Sequence, residues 1–140
     1  MITVNIKRLN ENATLPTYSH PGDAGMDLYS AQYVTLQPGE TVKVVTGIAT
    51  AIPSGFVGLV WDRSSMGSKG IKRMGGVIDA GYRGEILVAL LNTTQAPYEI
   101  KAGDKIAQML IQPVESPALV EVSDLDDTSR GEGGFGSTGR

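Results

Sequence analysis

The chain has 140 residues, 41% of them apolar, which is enough for one domain around a single core. With no cysteine it can build neither a disulfide framework nor a thiolate metal site, and this suits a reducing cytosol. A net charge of −3 argues against binding a nucleic-acid backbone through bulk charge, so an anionic ligand must be held by local groups.

From the N-terminus, "TVNIKRL" alternates apolar and polar residues and predicts a first strand. No apolar run here has signal-peptide length, and none elsewhere approaches the roughly 18 residues of a membrane span. The expectation is a soluble cytoplasmic protein without a membrane partner. His20, the only histidine, stands before Pro21 in a turn, and neither a metal cluster nor Ser–His catalysis is built on it alone. In "DAGMDLYSA", Asp27 follows a turn, where a carboxylate either holds the water ligands of a metal ion or caps the turn. "TVKVVTGIAT" and "FVGLVW" read as further strands.

Next comes "WDRSSMGSKGIKR", in which a fork-shaped guanidinium and two hydroxyls follow a strand. Arg63, Ser64 and Ser65 suit phosphate oxygens, or else form a solvated basic turn, and one short helical turn is expected near Ser65–Lys69. "GGVIDAGYRGE" sets Asp79 in a turn between strand-like runs, able to orient a water, with the Tyr82 ring able to pack on a sugar; an Asp-Ala-Gly turn also favours these residues for local reasons. "EILVALL", "KIAQMLI" and "ALVEV" complete the strand-length runs, with Gln108 as a polar step in the second of them. Turn signals separate the runs, as at Pro38-Gly39 and Pro53-Ser54-Gly55, and no 3.6-residue apolar stripe occurs. The pattern predicts an all-β sandwich or barrel of the jelly-roll type.

The composition changes after Val122. Residues 1–122 read as the folded core, and 123–140 as a flexible arm too poor in apolar side chains to offset its ordering entropy. Asp124, Asp126 and Asp127 read as a solvated acidic linker. "RGEGGFGSTGR" contains the spacing Gly131-x-Gly133-x-x-Gly136, but with no helix after it neither a dinucleotide-binding turn nor a Walker loop can form. Its physics remains usable: glycine amides converge on an anion, Ser137 and Thr138 add hydroxyls, Arg130 adds a fork, and Phe135 offers a stacking face.

In order, "AGMDLYSA", "DRSSMGSKGI", "GVIDAGYRGE", "GDKIAQMLI" and "RGEGGFGSTG" resemble the five motifs of the trimeric dUTP pyrophosphatases over nearly the whole chain. The resemblance implies a jelly-roll subunit, a homotrimer with three interfacial active sites, and Mg²⁺-assisted hydrolysis of dUTP to dUMP and pyrophosphate. That activity would limit uracil in DNA and supply dUMP for thymidylate synthesis. By position, Asp79 would activate the attacking water, and Asp27 would help organise that water and the surroundings of a Mg²⁺ held mainly by the triphosphate. Arg63, Ser64, Ser65 and Gln108 would bind phosphates. A hairpin around Val77 and Ile78 would read uracil through its backbone, and Tyr82 would stack under deoxyribose. In the arm, Phe135 would cover uracil, while Arg130, Gly136, Ser137 and Thr138 would reach the β- and γ-phosphates.

Two positions depart from the family pattern: Asp62, where proline or a small neutral residue is common, and Arg73, where asparagine is common. A carboxylate beside a phosphate site weakens binding unless it points away. The dCTP deaminases share the fold and parts of the second and third motifs, but they would use a glutamate in place of Asp79. A nucleotide-sensing regulator with a protein partner is a third possibility, although every motif residue expected for turnover is present.

Overall fold

The computed structural model describes residues 1–139. In chain order these form β1 (Asn5–Arg8), β2 (Met26–Tyr29), β3 (Val34–Leu36), β4 (Thr41–Ala51), β5 (Phe56–Trp61), the helical turn α1 (Ser64–Gly67), β6 (Ile71–Met74), β7 (Val77–Ile78), β8 (Glu85–Asn92), β9 (Tyr98–Ile100) and β10 (Lys105–Pro113). The strands make two four-stranded sheets, ordered β1-β4-β8-β6 and β2-β10-β5-β7, with a small β3-β9 ribbon. All ladders are antiparallel and sequential strands seldom neighbour each other, as in a jelly-roll sandwich.

The alternation in the sequence explains the core. Along β8, Ile86, Val88, Leu90 and Asn92 are buried while Leu87 stands in solvent. Val44, Ile48, Val60, Ile106 and Met109 meet them from β4, β5 and β10. Burying each such apolar side chain is worth about 1.5–3 kcal/mol. Asn92 is tolerated because its Nδ2 donates to the Leu36 and Ala96 carbonyls at 2.9 and 2.8 Å, while its Oδ1 accepts from the Thr94 amide at 2.9 Å.

The predicted runs from "TVNIKRL" to "KIAQMLI" coincide to within two residues at their ends with β1, β4, β5, β8 and β10, and the helical turn lies one residue before its expected start. "ALVEV" differs: Leu119 is 93% exposed and Val120 78%, and no strand occurs among the described residues after Pro113. Strand length alone does not make a strand, because the backbone groups need a neighbour and no edge of this chain supplies one there. The segment around Val77 also differs from the expected hairpin at Asp79-Ala80-Gly81, because the strands on either side of that turn, β7 and β8, lie in different sheets. β6 pairs with β8 and β7 with β5, so Gly75-Gly76 is a corner at which the chain changes sheets.

Candidate active site

Asp27 follows the turn as the second residue of β2, directly opposite Gln108 of β10, which in turn faces Trp61 of β5. A bulge between Lys105 and Ala107 shifts the β2-β10 register beside it. Three residues apart on a regular strand, Lys105 and Gln108 would face opposite sides; the extra residue brings both to Asp27. Lys105 Nζ lies 3.0 Å from Asp27 Oδ2, Arg63 Nε lies 3.3 Å from Oδ1, and Ser19 Oγ donates to Oδ2 at 2.8 Å. Burial pushes the Asp27 carboxyl up, but the hydrogen bonds from Lys105 and Ser19 and the charges of Lys105 and Arg63 outweigh it and hold it below the ordinary carboxylate value.

Arg63 ends the extended run of β5 and opens α1, which Met66 anchors in the core while Ser64 and Ser65 remain exposed. Its Nη1 also reaches the Lys105 carbonyl at 3.5 Å. A cavity of about 380 Å³ opens here, lined by Arg63, Ser65, Lys69, Tyr98, Asp104 and Lys105 among others. Three cationic side chains and two hydroxyls, against the one carboxylate of Asp104, make it suited to an anionic chain. Gln108 Nε2 donates to the Asp62 carbonyl at 2.9 Å, which fixes the side chain beside this wall.

Asp62, the first departure, turns its carboxylate towards β6. Oδ1 accepts the Arg73 amide at 2.7 Å and Oδ2 pairs with Lys72 at 2.7 Å. Burial raises its pKa, but the hydrogen bonds from Lys72 and the Arg73 amide and the neighbouring positive charges outweigh burial and leave it lowered. Arg73, the second departure, lays its guanidinium 4.9 Å from the Trp61 ring centre.

Val77, Ile78, Asp79 and Tyr82 gather elsewhere, around a pocket of about 170 Å³ that Glu85 and Leu87 complete. The Tyr82 amide closes the turn on the Asp79 carbonyl at 3.1 Å, and the Tyr82 hydroxyl donates to the Glu85 carbonyl at 2.8 Å. Gly84 permits this fold, since a Cβ there would meet the Tyr82 hydroxyl at 2.5 Å. Asp79 follows the Ile78–Gly58 pair, whereas Asp27 shares the row of Gln108 and Trp61. Three strand spacings across and four residues along put the two aspartates about 20 Å apart. The structure therefore brings Asp27, Arg63, Ser65 and Gln108 together, and Val77, Ile78, Asp79 and Tyr82 together, but not the two groups in one chain.

The arm residues join neither group. Phe135 is wholly exposed, and Arg130 Nε donates to the Gly133 carbonyl at 2.8 Å. Gly136, Ser137 and Thr138 sit in exposed turns, with Ser137 N–H donating to Gly134 and Gly139 N–H to Gly136. Among the described residues, the hydrogen bonds of 115–139 stay within that segment. Arg140, the end of the arm, lies outside the described residues. Lys105 and Ser19 are the site residues that the sequence reading did not single out. Also among the described residues, no cluster of three His, Cys, Asp or Glu forms a metal cage, and no helix is long and apolar enough to cross a membrane.

A dUTPase family model matches residues 11–139. The deoxyuridine 5'-triphosphate nucleotidohydrolase of Thermobifida fusca is 50% identical over 142 residues, covering 99% of this chain and 79% of that protein. The protein of the same description from Mycobacterium tuberculosis is 51% identical over 146 residues, covering 98% and 95%. Among solved structures, a mutant dUTPase of Staphylococcus bacteriophage 80alpha with dUpNHpp superposes at a TM-score of 0.95 with 32% identity over 100% of both chains. A mutant dUTPase of phage phi11 of S. aureus, described as coordinating a structural Mg(II) ion, superposes at 0.85 with 32% identity over 90% of this chain and 100% of that one. With the family model spanning nearly the whole sequence and relatives near 50% identity, the chain belongs to the dUTPase family.

Proposed function

We propose that the protein hydrolyses dUTP to dUMP and pyrophosphate as a homotrimer whose sites draw residues from different copies. The observation that carries this reading is that the two residue groups line separate pockets of one chain, with ladder spacing putting Asp27 and Asp79 at about 20 Å. A water-activating carboxylate must lie within one hydrogen bond of its water, and that water must lie about 3 Å from the α-phosphorus. With Asp79 and Arg63 lining different pockets of one chain, the reading takes Asp79 from one copy and Arg63 from another. A closed cyclic assembly presents both groups at each interface.

In this site Val77 and Ile78 offer backbone groups to uracil, and Tyr82 packs under the deoxyribose. Arg63, Ser64, Ser65 and Gln108 hold the phosphates. Asp79 aligns the water and accepts its proton as the water oxygen bonds the α-phosphorus; the bond from that phosphorus to the departing pyrophosphate oxygen breaks. Asp27, fixed by Lys105, Ser19 and Arg63, orients water at the phosphate end. With Lys105 and Arg63 already paired to its oxygens, Asp27 would reach a Mg²⁺ through water, the ion being held mainly by the triphosphate. When bound, such an ion neutralises charge on the leaving pyrophosphate. Residues 123–140 then close as an arm, with Phe135 over the base and Arg130, Gly136, Ser137 and Thr138 at the β- and γ-phosphates.

Pyrophosphate release with Mg²⁺ across dUTP, dTTP, dCTP and UTP tests the reading. Strong preference for dUTP supports it; ammonia from dCTP, or equal turnover of all four, overturns it.

A further inference from the structure

We propose that Arg73 is a positioning residue for base selection, bracing the sheet-changing corner that carries Val77 and Ile78 against the end of β5. This rests on the reading of that corner as the wall that meets the base. The corner needs a brace because its backbone is the freest in the site. Gly75 and Gly76 take φ of +74° and +113°, and β7 adds only two residues of ladder. A Cβ on Gly76 would come within 2.8 Å of the Val60 carbonyl, so the close approach to β5 cannot be secured by a larger residue there.

The fixing contacts come from β6 and β5 instead. The Val60 amide donates to the Gly76 carbonyl at 2.8 Å. Arg73 Nη1 donates to the Gly75 carbonyl at 2.6 Å while the same guanidinium lies over Trp61. The Arg73 amide is held at 2.7 Å by Asp62, the residue after Trp61 and before Arg63. One side chain thus joins strands of two sheets to the glycine corner. Arg73 Nε is sealed from solvent without a partner, so that donor is not offered to a ligand. Asp62 and Arg73, the two departures from the family pattern, therefore form one device: the carboxylate turns from the phosphate cavity to hold the strand from which the guanidinium reaches the corner.

The test compares Arg73→Met, Arg73→Lys, Trp61→Phe and Trp61→Leu for kcat and KM on dUTP and dTTP, with Tm measured alongside. Arg73→Met and Trp61→Leu should each raise KM for dUTP about five- to tenfold and lower the dUTP:dTTP ratio of kcat/KM by a similar factor, with kcat within about twofold. An Arg73→Met/Trp61→Leu double variant, measured beside them, should be no worse than the poorer single one. Trp61→Phe keeps a ring face and should stay near wild type, while Arg73→Lys keeps the charge without the fork and should fall between. Unchanged KM and base ratio in Arg73→Met, or a fall in kcat alone, overturns the proposal. If Arg73→Met does not fold, loss in Trp61→Leu with retention in Trp61→Phe supports it, and equal behaviour of the two overturns it. A wild-type enzyme without preference for dUTP overturns the functional reading instead. The brace is then judged by amide exchange at Val77 and Ile78, which loses protection in Arg73→Met if the brace exists and keeps it if not.

Discussion

Three aspartates occupy three different environments. Asp79 is exposed at the edge of its pocket, Asp27 is clamped between two cations, and Asp62 ties two sheets together. Replacing Asp79 by Asn keeps its size and removes the proton acceptor. Turnover should fall by about 10²–10⁴-fold while the affinity for a non-hydrolysable dUTP analogue changes little, measured by pyrophosphate release and calorimetry. Asp62→Asn addresses stability, since Asn still accepts the Arg73 amide but loses the charge facing Lys72. The folded pKa of Asp62 is depressed, so its ionised form stabilises the fold above the ordinary carboxylate pKa of about 3.9, and that contribution is lost as pH falls through the lower folded value. Lys72 is about half exposed, which limits the effect to about 0.5–1 kcal/mol near pH 7. Urea melts of the two proteins should therefore differ at neutral pH and converge only as pH falls through the lowered folded pKa. The chemistry of Arg63, Asp79 and Tyr82 was legible from residue type and motif order. Lys105 was not, because it reads as an ordinary strand-start lysine until the bulge turns it towards Asp27, and Ser19 meets it across 86 residues.

Elements were legible where apolar residues ran long enough to show a period. β4, β8 and β10 are 11, 8 and 9 residues long, and their alternation is visible in the sequence. β2, β3, β7 and β9 have two to four residues and carry too few positions for a period, so they exist because longer neighbours offer them a ladder. An Asp-Ala-Gly turn suits a hairpin or a change of sheet alike, so Asp79-Ala80-Gly81 could not reveal that β7 and β8 lie in different sheets. The arm is a separate case, with no hydrogen bond to the sandwich among the described residues. Deleting residues 131–140 should leave Tm within about 2 °C, because no core contact is removed, yet reduce kcat/KM for dUTP by about 10²-fold or more. A collapse of Tm on truncation would make the arm part of the fold.

At the scale of the whole molecule, the all-β architecture follows from the spacing of runs and turns, but the distance between Asp27 and Asp79 does not. Motifs adjacent in sequence, at Arg63 and Asp79, follow the neighbouring strands β5 and β7 but lie towards opposite ends of β5, and only the ladder register shows it. This makes the assembly testable with two inactive proteins. Asp79→Asn and Arg63→Ala, unfolded together and refolded as a 1:1 mixture, should recover activity at about a quarter of the sites if each site takes these residues from different copies. No recovery is expected if one copy supplies both.

The exposed stretch containing Leu119, Val120, Val122 and Leu125 also bears on the order of events after synthesis. The sandwich closes its own ladders, so its formation is a first-order process that the fluorescence of Trp61 can follow. If another copy covers this stretch, which is exposed among the described residues, as the proposed assembly requires, that step is second-order. On refolding, fluorescence should return at a rate independent of protein concentration, while activity returns more slowly and speeds up as concentration rises. Simultaneous return at every dilution would mean that a single chain completes the site.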